Sequence, residues 1–183
     1  MALRGDMPSG AFENAGFSTA QHLVSYVREL WGDDARIFVA AYPEVHPRAH
    51  TPAADLLAFR DKVMAGATDA VTQYFYNVEA FLRFRDEARA LGIDIPIVPG
   101  IMPISNFTQL SRFSDACGAE IPRWLRKRLE ALQDDIPALC DFGADIVAQM
   151  CERLIGEGVP ALHFYSMNRA DLIREICTRL GWC

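Results

Sequence analysis

The sequence predicts a parallel α/β fold, on three observations. Four short apolar runs rich in β-branched and aromatic residues are spaced along the chain, as strands buried on both faces should be. Longer stretches with helical periodicity separate them. Polar residues gather just after the apolar runs, at what would be one end of a sheet.

The elements follow in order. Ser18 or Thr19 can cap a first helix running to about Leu30. The first strand is expected at Ile37–Tyr42 (IFVAAY). Thr51 and Pro52 open the next helix, with Leu56, Leu57, Phe59, Val63 and Met64 on its apolar face. A strand at Ala70–Tyr76 (AVTQYFY) leads to a helix over Val78–Leu91. A strand at Ile95–Pro103 (IPIVPGIMP) leads to a helix over Ser105–Cys117. Gly92 and Gly118 stand where helix C-termini want glycine. Two more helices, Ile121–Leu132 and Pro137–Ile155, precede a last strand at Ala161–Met167 (ALHFYSM). Asn168 can cap the final helix, which runs to Leu180 with Gly181 behind it.

This βαβαβα(α)βα order is compatible with an open doubly wound sheet or with a segment of a (β/α)8 barrel. The chain contains no GxGxxG and no GxxxxGK[ST], which weighs against a nucleotide-binding open sheet. The residues after the strands are Tyr42 to Pro47, Pro103 to Asn106, and Asn168 with Arg169. Gln73 sits inside its strand, and Arg4-Gly5-Asp6 opens the chain. A purely structural sheet has no need for such a collection at one end.

Composition excludes several classes. The 183 residues carry 24 acidic and 18 basic side chains, a formal charge of -6 without a basic run. That argues against a nucleic-acid or anionic-membrane partner. No stretch is long and apolar enough to span a bilayer, and Met1 to Gly10 has no secretory h-region. The five cysteines form no CxxC and no zinc spacing with His, so no metal site is expected. Scattered thiols in an acidic chain fit a reduced, cytoplasmic protein.

A set of collinear runs narrows the reading. They are ALRGD (Ala2–Asp6), AAYPEVHP (Ala40–Pro47), ADLLAFRDKVMAGA (Ala54–Ala67) and TQYFYNVEAFLRFRD (Thr72–Asp86). GIDIPIVPGIMPISNFTQLSRFSD (Gly92–Asp115), IPRW (Ile121–Trp124) and HFYSMNR (His163–Arg169) complete the set. Together they resemble the methylenetetrahydrofolate reductases. The resemblance implies a (β/α)8 barrel that binds FAD without a nucleotide-binding sheet. It also implies FAD-dependent reduction of 5,10-methylenetetrahydrofolate to 5-methyltetrahydrofolate, with NADH or NADPH as donor.

The resemblance also implies roles by position. Asp6 would place a carboxylate beside the flavin ring and serve catalysis, with Arg4 and Gly5 alongside. Tyr42 and His46 would line the FAD. Asp55 would hold a sugar hydroxyl and Lys62 a pyrophosphate oxygen, where a point cation suits a phosphate. Ala20, Ala58 and Asp61 fall at further FAD-contacting positions. Gln73 would bond the pterin or the nicotinamide amide, and Phe113 would stack on substrate. Gln109, Tyr165 and Arg169 would complete the substrate side, Arg169 facing the folate carboxylates.

Taken singly, these residues also have ordinary readings. Arg-Gly-Asp can be a solvated turn, and His46 a satisfied loop histidine. Asp55 and Lys62, seven apart, can be a surface pair. Phe113 and Tyr165 can be core aromatics. Gln73 is harder to dismiss, because a buried amide needs partners.

A full barrel runs to about 250 residues. The resemblance therefore makes residues 1–183 a single domain, a partial barrel of about the last four to five βα units. The family's early-strand Glu, which supplies the proton to the folate nitrogen, has no counterpart here, so impaired turnover is expected. Open sheet edges would need covering. Self-association into a homo-oligomer or pairing with a separate N-terminal half would supply that. The alternative is a non-catalytic FAD- or folate-binding remnant or partner subunit.

Overall fold

A computed structural model describes residues 1–3, 5 and 16–182. Arg4 and Asp6 lie outside the described residues. Its centre is a four-stranded sheet in the order β1-β2-β3-β4, with every pairing parallel. The strands are β1 (Phe38–Ala41), β2 (Asp69–Tyr74), β3 (Ile97–Ile101) and β4 (His163–Phe164). Ala2 forms a parallel bridge to Val39 on the edge away from β2, its N–H donating to the Phe38 carbonyl at 2.7 Å. The start of the chain thus lies where a preceding strand would lie.

Helices connect the strands, as parallel pairing requires. They are α1 (Ala20–Trp31), α2 (Pro52–Met64), α3 (Val78–Ala90), α4 (Phe107–Cys117), α5 (Arg123–Leu132), α6 (Ile136–Gly156) and α7 (Ala170–Arg179). Their starts follow from short polar side chains. Thr19 accepts from the His22 N–H, Thr51 from Ala54, Asn77 from Glu79, Asn106 from Gln109 and Asp135 from Ala138. Pro52 and Pro137 sit in first turns, where no N–H is needed. Gly118 ends α4 in the left-handed region at φ 75°, its N–H returning to the Ser114 carbonyl.

The core is continuous from Ala2 and Val24 to Ile176. Phe75 and Phe81 stack at its centre, ring centroids 5.2 Å apart. At the opposite end of the sheet from the strand C-termini, Arg36 pairs bidentately with the buried Asp69, whose carboxyl lies below its usual range because of that bond. Arg28 ties α1 to the turn after α2 through the Gly66 carbonyl.

The expected elements all form, with shorter strands. The largest correction is the last strand, expected over Ala161–Met167 and observed as two residues. Met167 and Asn168 turn into the left-handed region, at φ 49° and 60°, and cannot continue it. For the same reason Asn168 is not the cap of α7. Arg169 holds that position, without a side-chain cap bond. Pro122 delays α5 to Arg123, because proline's ring disfavours helix in the residue before it.

Candidate functional site

The four strands point the same way, so the loops after them share one edge of the sheet. Two groups of side chains meet there.

The first group hangs on β1 and α2. The β1 loop carries Tyr42 and His46, whose rings contact edge-on with centroids 4.5 Å apart. Asp55, in the first turn of α2, holds that loop: its Oδ2 accepts the His46 N–H at 2.8 Å. Lys62 lies two turns further on. A helical side chain leans toward its helix N-terminus, and this one reaches back to the sheet edge. Its Nζ donates to the Ala40 carbonyl at 2.5 Å and stands 5.7 Å from the Phe59 ring centroid. Burial brings the Lys62 ammonium down to a pKa of about 8, against the opposing pull of Asp55. A part-buried lysine folded back onto the Ala40 carbonyl is no solvated surface pair. Asp61 pairs with Arg60 at 3.1 Å, and Ala58 is exposed on the same helix. Ala20 opens α1, which packs against α2. Gly5 adopts φ 74°, with nothing within 4 Å of where a Cβ would stand.

The second group forms an open cleft of about 260 Å³ between the β3 and β4 loops. Gln109 and Phe113, four apart on α4, present one face to it. Tyr165, Ser166, Met167 and Arg169 close the other side, with Met102, Pro103 and Asn106 at the floor and rim. Phe113 is 37% exposed, so it is no core aromatic. Arg169 donates through Nε and Nη2 to the Asp171 carboxylate, at 3.1 and 2.9 Å. Its Nη1 makes no hydrogen bond among the described residues. Four of the five expected substrate residues therefore line one cleft.

Gln73 stands between the groups. It lines a small recess with Tyr42, Glu44, Tyr74 and Cys117. Its Oε1 accepts the adjacent Tyr74 N–H at 3.0 Å. The Tyr165 hydroxyl donates to the Thr72 carbonyl, one residue away, at 2.8 Å. Burial pushes the Tyr165 phenol up to about 12, so it keeps its proton.

Sequence reasoning passed over Glu44. Its Oε2 accepts the Glu120 N–H at 2.7 Å, joining the β1 loop to the α4–α5 loop. Oε1 is buried and meets no partner among the described residues. Burial raises the Glu44 carboxyl to about 7. The signal was its place between two prolines in YPEVHP, a loop too short to turn every side chain outward. Thr72 and Gly100 were passed over as well, as ordinary strand residues.

Among the described residues no group of three or more His, Cys, Asp or Glu could hold a metal ion, and no helix is long and apolar enough to cross a membrane.

A parallel sheet with a concave cleft at its strand C-termini defines an α/β protein with a candidate ligand site at that edge. Comparison makes this particular. The sequence profile of the methylenetetrahydrofolate reductases matches residues 1–181, and the chain belongs to that family. It is 45% identical to the 5,10-methylenetetrahydrofolate reductase of Escherichia coli strain K12 over 99% of this chain and 60% of that protein. It is 39% identical to methylenetetrahydrofolate reductase (NADH) 1 of Arabidopsis thaliana over 99% of this chain and 33% of that one. The chain thus spans about 60% of the length of its bacterial relatives. Among solved structures, a Clostridium thermocellum protein described as binding two copies of 5-methyl-5,6,7,8-tetrahydrofolic acid shares the fold. Its TM-score is 0.60 at 20% identity, covering 86% of this chain and 56% of that one.

Proposed function

We propose that residues 1–183 form one domain, the C-terminal portion of a (β/α)8 barrel that reduces 5,10-methylenetetrahydrofolate to 5-methyltetrahydrofolate with FAD and NADH or NADPH. The observation that carries the reading is Lys62. A largely buried ammonium at the edge of a sheet, beside Asp55 and the Tyr42–His46 loop, suits a pyrophosphate and has little other reason to be there. The donor set fits the cofactor. Lys62 offers a cation, Asp55 keeps its Oδ1 for a hydroxyl, and Tyr42 and His46 offer ring faces.

When bound, the flavin supplies the hydride relay between nicotinamide and folate. The chain's own residues then bind and orient. Phe113 offers a face for stacking, Gln109 an amide and Arg169 its Nη1, with Asp171 fixing the guanidinium. Gln73 must swing its amide off the Tyr74 N–H to reach substrate. Tyr165 works through its ring, because its hydroxyl is committed. Arg4 and Asp6 complete the flavin side in this reading.

The substrate proton is the weak point. No described carboxyl stands in the cleft lining, and the family's early-strand Glu has no counterpart in these residues. Assayed alone, the 183 residues should turn over slowly. Pairing with a second copy or with an N-terminal half would raise the rate. The second reading is a partner subunit or remnant that binds FAD or folate without catalysis. We place the protein in the cytoplasm.

The test is the absorbance spectrum after FAD is added and the excess removed. A retained, shifted flavin band that NADH bleaches is the expected result, and 5-methyltetrahydrofolate should perturb it. A colourless protein would sink the cofactor site. A bound flavin that never passes hydride to folate would favour the second reading.

A further inference from the structure

The β2–β3 ladder loses register at the site. Ala70 faces Ile97 and Val71 faces Val98, but Tyr74 faces Gly100. Between these pairs β2 carries Thr72 and Gln73 where β3 carries only Pro99, so β2 is bulged by one residue. Pro99 has no N–H to give the sheet, and a proline in an inner strand belongs at such a bulge.

Side chains take up the backbone groups the ladder leaves over. The Gly100 N–H donates to Thr72 Oγ1 at 2.9 Å, in a fully buried contact. The Thr72 carbonyl accepts from the Tyr165 hydroxyl at 2.8 Å. The Tyr74 N–H goes to Gln73 Oε1. Gly100 makes room for this arrangement. A Cβ there would stand 2.2 Å from the Thr72 carbonyl oxygen and 2.6 Å from a Tyr165 ring carbon.

We propose that Thr72, with Gly100 opposite, is the positioning residue of the substrate cleft: its side chain pins the bulge to β3, and its carbonyl, freed by the bulge, fixes the Tyr165 ring. Thr72 touches no ligand itself. It sets the wall of the cleft from behind and aims Gln73, the next residue, toward the same edge. The folate identity of the ligand rests on the function proposed above; the Thr72–Tyr165 coupling does not.

The test compares Thr72→Val, Thr72→Ser and Tyr165→Phe in the full chain. Valine keeps the shape of threonine but cannot accept from Gly100. Serine keeps the acceptor. One readout is the ring Cζ resonance of Tyr165 in ¹³C-tyrosine protein, assigned by its loss in Tyr165→Phe. The other is calorimetric affinity for 5-methyltetrahydrofolate. Thr72→Val should shift the Tyr165 resonance and weaken folate binding by about tenfold, the effect of one misplaced contact. Thr72→Ser should restore both to within about twofold of the parent.

A folded Thr72→Val protein with an unmoved Tyr165 resonance overturns the proposal, as does a serine variant as damaged as the valine one. Should Thr72→Val not fold, Tyr165→Phe decides by affinity. It keeps the ring but cuts the tie to Thr72, so weaker folate binding supports the proposal and unchanged binding overturns it. If the parent chain binds no folate, the proposed function falls while the resonance still judges the coupling.

Discussion

At the β1–α2 end of the site, polar groups are already tied to the chain. Asp55 holds the His46 N–H, and Lys62 holds the Ala40 carbonyl. At the β3–β4 end, Gln109, Phe113 and Arg169 are exposed around an open cleft. The first end has the build of a seat for a resident group. Its contacts are preformed, so little ordering remains to oppose binding. The second has the build of a place that ligands enter and leave. The function proposed above, with one resident cofactor and two exchanging substrates, calls for this division.

The largest expected effect breaks the seat. Lys62→Met should lower FAD affinity by about tenfold to about a hundredfold, the range for losing a charge-assisted bond to an ionised partner. A flavin fluorescence titration measures it. The variant should melt no lower than the parent, because methionine fills the same space without a buried charge. An unchanged FAD affinity would remove Lys62 from the site.

The same lysine gives a pH signature. Its ammonium carries the attraction for phosphate, and burial sets its pKa in the free protein at about 8. FAD affinity should be flat below about 8 and fall as pH rises above it. Stability of the free protein should move oppositely. A lysine whose folded pKa is depressed leaves the unfolded chain binding more protons, so this contribution rises with pH from about 8 toward the ordinary lysine value. Lys62→Met should erase both slopes.

Phe113→Ala sharpens the comparison from the other side. The ring is part-exposed and stacking adds about 0.5–1.5 kcal/mol, so folate affinity should fall by about twofold to about tenfold. FAD affinity and melting temperature should stay where they are. A matched loss of FAD would mean that the two ends form one site rather than two.

The two ends also differ in how far the sequence disclosed them. The helix that carries Gln109 and Phe113 was legible from its periodicity and from Gly118 behind it, and the resemblance picked out the two residues on it. The seat was not. Asp55 and Lys62 lie seven apart on α2, and nothing local distinguishes a solvated pair from a lysine folded back onto β1. Only the resemblance singled them out. The strands were legible as apolar runs, but the bulge at Thr72 was not, because it depends on which β3 residue comes to face it. The length of the last strand failed for a similar reason. Met167 and Asn168 carry no glycine signal for their left-handed turn.

The smallest effect concerns Glu44, which belongs to neither end but ties the β1 loop to the α4–α5 loop. Burial raises its carboxyl to about 7, above its ordinary value. Between those values the folded protein holds a proton that the unfolded chain has released, so stability falls as pH rises through that window. The carboxyl is partly open to solvent, and the contribution is discounted accordingly to about 1 kcal/mol. Glu44→Gln keeps an oxygen for the Glu120 N–H and cannot ionise. Its melting temperature should therefore match the parent near pH 5 and exceed it by a few degrees near pH 8, about 1 kcal/mol in a domain of this size. Parallel melting curves across that range would mean that Glu44 ionises freely in the fold. The Glu120 N–H would then be held by an ionised, hydrated carboxylate, and the β1 loop would be more open to water than an Oε1 without a partner among the described residues implies.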